Sequence, residues 1–106
     1  MPVEFISSGP VHAAGSLLLA HGAGVEATSP FMEFIANGLS DRDWRVHRFD
    51  FPYMVKRRLK GRTSPPDRPD VLVSAFRDAI DQLNPVQPLV IGGKSMGGRI
   101  ASLLLD

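Results

Sequence analysis

The sequence of 106 residues predicts an α/β fold, in which helices cover both faces of a parallel sheet. Two short apolar runs, Ser16–Ala20 and Leu89–Ile91, each end at a glycine-rich segment, as strands that are buried on both faces do. Amphipathic segments with helical spacing lie between the strand-like runs. Because strands that alternate with helices along a chain pair in parallel, the order of the elements predicts the sheet.

The first half of the chain is expected to contribute three strands and one helix. Val3–Ile6 can form an edge strand, and Ser16–Ala20 has the pattern of a central parallel strand. Ser29 can cap a helix that begins at Pro30, since proline favours the first helical position. A further strand is predicted over Trp44–Phe51. The helix is expected to place four apolar residues on one face: Phe31, Phe34, Ile35 and Leu39.

The second half is expected to begin with a long connection. Pro52 should end the preceding strand, and residues 53–69 should hold at most one short helical turn, because prolines interrupt regular structure. Asp70 is expected to cap the clearest helix, and Leu89–Ile91 to form a buried strand. The apolar stripe of that helix comprises Leu72, Ala75, Phe76, Ala79, Ile80 and Leu83. The last helix, Met96–Leu105, should carry on one face Ile100, Leu103 and Leu104.

Length and composition restrict the class of protein. A chain of this length is typical of one globular domain, so we expect a single domain over residues 1–106. The absence of cysteine leaves oxygen or nitrogen as the atoms for covalent chemistry. No run of eighteen apolar residues and no signal-peptide pattern occurs, so we expect a cytoplasmic protein without membrane contact.

Positive charge is concentrated in residues 56–68, although the net charge is only +1. Half of the twelve lysines and arginines lie there: Lys56, Arg57, Arg58, Lys60, Arg62 and Arg68. A solvated surface segment is the favoured interpretation, and a binding surface for a carboxylate, a phosphate or an acidic partner is the alternative. Nucleic acid is an unlikely partner, because no aromatic residues are interleaved with these charges.

The segment from Gly93 to Gly97 has the sequence of a nucleophile elbow, Gly-x-Ser-x-Gly, between a predicted strand and a predicted helix. In this setting Ser95 would occupy a strained turn that exposes its hydroxyl, and glycines on both sides would let strand and helix approach closely. The backbone N–H of Met96, at the start of the helix, would point at a developing oxyanion. Ser95 is therefore the candidate nucleophile.

A second oxyanion donor is expected in the loop that follows the first buried strand. That loop begins with His21, Gly22 and Ala23, and we assign the donor to the backbone N–H of Ala23. Gly22 is also a candidate for substrate contact.

Four segments together resemble a known family. They are Leu19–Gly24, Ser29–Met32, Phe51–Met54 and Gly92–Arg99. Their order and sequence are similar to those of the small α/β-hydrolase-like family that includes a subunit of the animal non-specific-lethal chromatin complex, and more distantly to the dienelactone hydrolases. The resemblance extends from Ser16 onward and implies the nucleophile-bearing half of an α/β-hydrolase fold. It also implies that Ser95 is the nucleophile and that His21, Gly22 and Ala23 form the oxyanion loop.

The acid and the histidine of a catalytic triad have no clear candidates. α/β-Hydrolases place both after the nucleophile, but only seven residues follow Arg99, so we expect an incomplete fold that is truncated after the nucleophile helix. His21 could act as a base, although bracing of the oxyanion loop is the favoured role. Asp50 could reach the same crevice or cap the following turn. The other two histidines, His12 and His47, are weaker candidates for the base.

Two residues after Phe51 are candidates for substrate contact. Tyr53 and Met54 would either line an acyl pocket or belong to the ordinary core. Tyr53 is the stronger candidate, because its hydroxyl needs a polar partner.

Three alternative motifs are less well matched. A phosphate-binding P-loop that ends in Lys94 and Ser95 would require glycine where the chain has Pro88. The loop residues 22–27 fit a relaxed dinucleotide fingerprint, but the helix restarts at Ser29, after the fingerprint. Lys94 as a base for Ser95 is less favoured than an exposed side chain. We therefore predict no cofactor and no metal ion.

Two functions follow from these patterns. The first is a serine hydrolase that acts on a small ester or thioester through Ser95, with weak or no activity in so short a chain. The second is a non-catalytic interaction module or a fragment, whose exposed sheet edge recruits a second copy or a complementing chain. The chromatin-complex member shows, by resemblance, that the scaffold can serve without catalysis.

Overall fold

The computed structural model describes residues 2–85 and 87–104, which form one sheet and four helices. The elements in chain order are β1 (Ile6–Ser8), β2 (Gly15–Ala20), α1 (Pro30–Ser40), β3 (Trp44–Phe49), α2 (Pro52–Lys60), α3 (Pro69–Gln82), β4 (Leu89–Gly93) and α4 (Met96–Leu103). The predicted alternation of strands and helices, and with it the α/β fold class, is confirmed.

The sheet has the strand order β1-β3-β2-β4, with β2 at its centre. β2 pairs in parallel with both β3 and β4, so that Leu18 lies between His47 and Ile91. β1 pairs antiparallel to β3. The core of the sheet is therefore parallel, as predicted, but its edge strand runs the other way and begins at Ile6 rather than Val3.

Helices cover both faces of the sheet because successive residues of a strand point to opposite sides. Leu18, Ala20 and Phe49 join a buried cluster with residues of α3 and α4, including Phe76 and Ile100. On the other face, α1 packs against β3 and β1. The carboxyl ends of the three parallel strands meet at one edge, where the loops after β2 and β4 lie side by side.

α1 begins as the sequence predicted but buries a different face. Ser29 caps the helix through its side-chain oxygen, which accepts from the N–H of Met32, and Pro30 is the first helical residue. The buried residues are Met32 and Ala36, whereas Phe31 is 49% and Phe34 75% exposed. Of the expected stripe, Ile35 and Leu39 are half-buried, but the prediction was wrong for Phe31 and Phe34, because the helix turns Met32 and Ala36 toward the interior.

The connection after β3 contains a nine-residue helix where little regular structure was expected. Pro52 occupies the first turn of α2, a position that needs no N–H donor, so it starts a helix as well as ending a strand. Basic residues in the last turn interact favourably with the helix dipole. Gly61 ends the helix in the left-handed conformation, with φ of 67°. Similarly, α3 starts at Pro69, which places Asp70 in its first turn rather than at its cap.

β4 is less buried than its apolar sequence suggested. Val90 is 45% exposed, because β4 pairs with β2 on one side and with no strand of the described residues on the other. On α4, Ile100 is buried as predicted, but Leu103 is 52% exposed. Leu104 packs partly against the core, and Leu105 lies outside the described residues.

Candidate active site

Ser95 lies at the junction of β4 and α4 in a backbone conformation that few residues adopt. Its φ of 52° and ψ of −109° fall outside the usual regions for a residue with a side chain. Such strain persists only where the surroundings impose it, and it is concentrated at functional sites. The turn therefore has the sharp strand-to-helix geometry that the elbow sequence predicts.

Glycines make this turn sterically feasible. A Cβ atom on Gly93 would lie 2.5 Å from the carbonyl carbon of Gly97 and 2.9 Å from the carbonyl oxygen of Ala20. A Cβ atom on Gly97 would lie 2.5 Å from the carbonyl oxygen of His21. These distances are shorter than side-chain carbons tolerate, so strand and helix can approach only because both positions lack a side chain.

The loop after β2 lies beside the elbow. A Cβ atom on Gly22 would be 3.8 Å from the Cβ of Ser95, and the N–H of Lys94 donates to the carbonyl of Ala20 at 3.1 Å. Ala23 and Ser95 are both exposed. The structure thus brings together the two segments that the sequence assigned to one site.

Three polar groups at this place have no internal partner. Within residues 2–85 and 87–104, neither the N–H of Ala23 nor that of Met96 donates a hydrogen bond to the protein, and the Ser95 hydroxyl forms none. Unsatisfied amides at a helix N-terminus and in an adjacent loop can bind an anionic oxygen. A base for Ser95 is not in hydrogen-bonding contact with it.

His21 is fully buried, and backbone groups engage both of its ring nitrogens. Nδ1 donates to the carbonyl of Gly22 at 2.6 Å, and Nε2 accepts from the N–H of Phe51 at 3.0 Å. Burial lowers the pKa of His21 below its ordinary value, so the neutral ring with the proton on Nδ1 suits both bonds. This geometry favours the bracing role and leaves no lone pair of the ring for Ser95.

Asp50 connects the same loop to α2. Its carboxylate accepts from the N–H of Ala27 at 2.8 Å and pairs with Nε of Arg58 at 3.2 Å. The carboxylate lies 4.0 Å from Nε2 of His21, whose lone pair is already occupied. Of the two roles that the sequence left open for Asp50, the geometry favours bracing of the backbone.

Tyr53 and Met54 lie in the core. They are only 2% and 1% exposed, and the hydroxyl of Tyr53 donates to the carbonyl of Ala23 at 2.8 Å. The polar partner that the hydroxyl needed is thus a backbone carbonyl of the oxyanion loop. The structure does not place either residue on a surface that a substrate would reach.

Two arginines contact this loop, and no sequence motif predicted these contacts. Arg48 donates to the carbonyl of Ala27 at 2.8 Å, and Arg57 donates to the carbonyl of Gly24 at 3.2 Å. Arg48 is 5% exposed. A charged residue inside a predicted strand was the sequence feature that could have indicated this contact. Part of the basic segment 56–68 therefore faces the loop rather than bulk solvent.

The Lys94 ammonium group forms no hydrogen bond with the Ser95 hydroxyl. It lies 5.0 Å from the centre of the Phe31 ring, on the α1 side of the elbow. A groove of about 220 Å³ runs along that side and is lined by Leu19, Met32 and Gly93 among others. A larger cavity of about 410 Å³ lies between α2, α3 and the N-terminal segment, and its lining includes Asp50 but neither Ser95 nor the loop residues His21, Gly22 and Ala23.

No group of three His, Asp or Glu side chains within the described residues is placed to hold a metal ion. Likewise, no helix of the described part of the chain is both long and apolar enough to cross a membrane.

Comparison with known proteins agrees with this fold. The structure of Est1E from Butyrivibrio proteoclasticus with ferulic acid bound is similar in fold, with a TM-score of 0.68 and 15% sequence identity. The match covers 95% of this chain but only 42% of Est1E, so the chain spans less than half the length of that protein. No curated protein matches the sequence. The model of the α/β hydrolase domain family matches residues 13–106, nearly the whole chain, and the protein therefore belongs to the α/β hydrolase family.

Proposed function

We propose that the chain carries the nucleophile and oxyanion hole of a serine hydrolase that acts on small esters or thioesters. The strained backbone of Ser95 carries this proposal, because φ of 52° at an exposed serine is costly and such strain is concentrated at functional sites. The free amides of Ala23 and Met96 beside it support the same function. A closer relation to the chromatin-complex subunit or to the dienelactone hydrolases stays a prediction, as does a cytoplasmic location.

In the proposed reaction, the Ser95 oxygen attacks the carbonyl carbon and the carbonyl electron pair moves to its oxygen. The amides of Met96 and Ala23 stabilise this oxyanion, the carbon–oxygen or carbon–sulfur bond then breaks, and the alcohol or thiol leaves with a proton. Water releases the acyl group as a carboxylic acid and restores the hydroxyl. Removing one oxyanion donor from such a site slows the reaction by about 10² to 10³.

We expect this chain alone to be a slow catalyst. No described histidine or carboxylate is hydrogen-bonded to the Ser95 hydroxyl, and His21 is held by the backbone. Enzymes that lose triad members keep only a residual acceleration, about 10³ to 10⁴ over water, from binding and the oxyanion hole. A covalent probe is therefore a more sensitive test than turnover.

The experiment is incubation of the full chain with a fluorophosphonate, followed by intact-mass measurement. The Ser95 oxygen displaces fluoride from phosphorus, and the hydroxyl proton passes to water, so each modified chain gains one phosphonyl group. We expect an adduct in the wild type and in Ser102→Ala, which removes another exposed serine hydroxyl, but none in Ser95→Ala. A folded wild type that gains no mass would contradict the proposal.

A second function is favoured by the edge of β4. Within the described residues this edge pairs with no strand, and Val90 on β4 is 45% exposed. Open strand edges with apolar neighbours pair readily with another chain. A stable homodimer in light scattering together with absence of the phosphonate adduct would favour an interaction module over the enzyme. Nucleic acid remains an unlikely partner by prediction.

A further inference from the structure

We infer that Tyr53 is a positioning residue whose hydroxyl holds the oxyanion loop in the orientation that exposes the Ala23 amide. The inference rests on the proposed function, because the Ala23 amide matters only if an oxyanion forms at Ser95. It assigns Tyr53 a role in the chemistry without contact between its side chain and the substrate.

The orientation follows from the planarity of the peptide bond. In a trans peptide the C=O of one residue and the N–H of the next point in opposite directions. The carbonyl of Gly22 points inward, where it accepts from Nδ1 of His21 at 2.6 Å and lies 3.5 Å from the Tyr53 hydroxyl. The N–H of Ala23 must therefore point away from the core, and it has no acceptor within the described residues.

The next peptide is held by the same side chain. The Tyr53 hydroxyl donates to the carbonyl of Ala23 at 2.8 Å, and Arg57, one helical turn further along α2, donates to the carbonyl of Gly24 at 3.2 Å. Three successive carbonyls of the loop are thus fixed from one side. The Tyr53 bond is central, because it acts on both peptides that flank the Ala23 Cα.

The loop needs such restraint because its own sequence supplies little. Gly22 and Gly24 flank Ala23, and glycine populates backbone angles that other residues avoid, so either peptide could rotate. A Cβ on Gly24 would meet no atom within 4 Å, so packing does not restrict that residue. Hydrogen bonds from His21 and from α2 therefore decide which way the Ala23 amide faces.

Packing of its ring and a hydrogen bond of its backbone hold Tyr53 in place. Its ring is 2% exposed and packs edge-on against the His21 ring, with ring centres 5.8 Å apart. Its backbone N–H donates to Asp67 at 2.9 Å, which ties the start of α2 to the segment before α3. Burial raises the pKa of Tyr53 above its ordinary value, so the hydroxyl keeps its proton and remains a donor.

The test compares Tyr53→Phe, which removes the hydroxyl and keeps the ring, with Ser40→Ala as a control. At the far end of α1, the Ser40 hydroxyl donates to the Ala36 carbonyl and also bonds the Ser8 hydroxyl, so its loss removes internal hydrogen bonds away from the site. Fluorophosphonate labelling of Ser95 gives the probe dissociation constant and the maximal labelling rate. Residual dipolar couplings of the ¹⁵N-labelled chain give the direction of the Ala23 N–H.

We expect Tyr53→Phe to lower the maximal labelling rate about tenfold, less than outright loss of an oxyanion donor. The probe dissociation constant should change by less than about twofold, because no contact to the free probe is lost. The Ala23 N–H coupling should change in Tyr53→Phe and stay the same in Ser40→Ala. Arg57→Met removes the hydrogen bond to the Gly24 carbonyl and should change the Ala23 N–H coupling less than Tyr53→Phe does.

The outcomes separate the two proposals. A labelled wild type whose rate Tyr53→Phe leaves unchanged overturns the positioning role while the serine hydrolase stands. A wild type that is not labelled removes the proposed function, and the dipolar couplings then decide whether Tyr53 orients the loop. If Tyr53→Phe does not fold, the coupling of the Ala23 N–H in the wild type decides, because an N–H that points toward the core overturns the inference.

Discussion

Gly97 lies where α4 crosses the end of β2, and a single added methyl group there should destabilise the protein. In the Gly97→Ala variant, the new Cβ would lie 2.5 Å from the His21 carbonyl oxygen and 2.7 Å from that of Ala20. Both atoms belong to the backbone, and the Ala20 oxygen also accepts from the N–H of Lys94. The contact can be relieved only by moving α4 away from the strand.

The expected magnitude follows from opposing terms. Overpacking of this kind costs about 1–3 kcal/mol, and weakening the Lys94 hydrogen bond adds about 1 kcal/mol. Alanine regains about 1 kcal/mol over glycine within a helix. The free energy of unfolding should therefore fall by about 2 kcal/mol, a sizeable part of the 5–15 kcal/mol typical of domains.

Gly38→Ala is the matched control. Gly38 also lies in a helix, but a Cβ there would meet only the Arg42 guanidinium, at 3.9 Å. This variant should be more stable than the wild type by about 1 kcal/mol, from helix propensity alone. Urea unfolding of the wild type and the two variants measures both differences in the free energy of unfolding, and the dependence of that free energy on urea concentration should be the same for all three. A Gly97→Ala protein as stable as Gly38→Ala would refute the argument that close backbone approach requires glycine.

Two further predictions concern the site and the buried histidines. The free energy of unfolding of Ser95→Gly should be about 1 kcal/mol higher than that of Ser95→Ala, because only glycine relieves the strain of φ 52°. Equal values for the two variants in urea unfolding would remove the evidence for strain. Burial lowers the pKa of His21 and of His47 below the ordinary 6.5, so the unfolded chain binds more protons in acid and stability falls as the pH drops below about 6.5. Replacing His47 with Gln should flatten that decline in urea titrations at pH 7, 6 and 5, and an unchanged slope would exclude His47 as a cause.

Local sequence patterns predicted the order of the elements and the elbow. The apolar run of β2, the capped start of α1 at Ser29 and the glycines around Ser95 depend on neighbours in sequence, so they were readable in advance. The sequence did not predict α2, because a proline after a strand-like run is typical of the end of a strand. Proline serves equally well in the first turn of a helix, and the sequence alone did not distinguish the two.

Burial and partner choice depended on the tertiary structure. Phe31 and Phe34 are exposed because the side of α1 that meets the sheet is chosen by packing, and several stripes on one helix can satisfy the same periodicity. The sequence proposed that Tyr53 contacts a substrate, but its hydroxyl lies on the Ala23 carbonyl, thirty residues earlier in the chain. No local pattern encodes such a long-range contact.

The sequence by itself determined the sharp turn at Ser95, since Gly-x-Ser-x-Gly between a strand and a helix is typical of that local geometry. The tertiary structure alone decided the surroundings of that serine. It placed the His21 ring where it hydrogen-bonds the backbone of Gly22 and of Phe51. It also paired Asp50 with Arg58 and with the loop, and it left the Ala23 amide without a partner among the described residues. The physical reason is that residue types and their spacing specify local backbone geometry, whereas hydrogen bonds between distant segments form only after the sheet has brought them together.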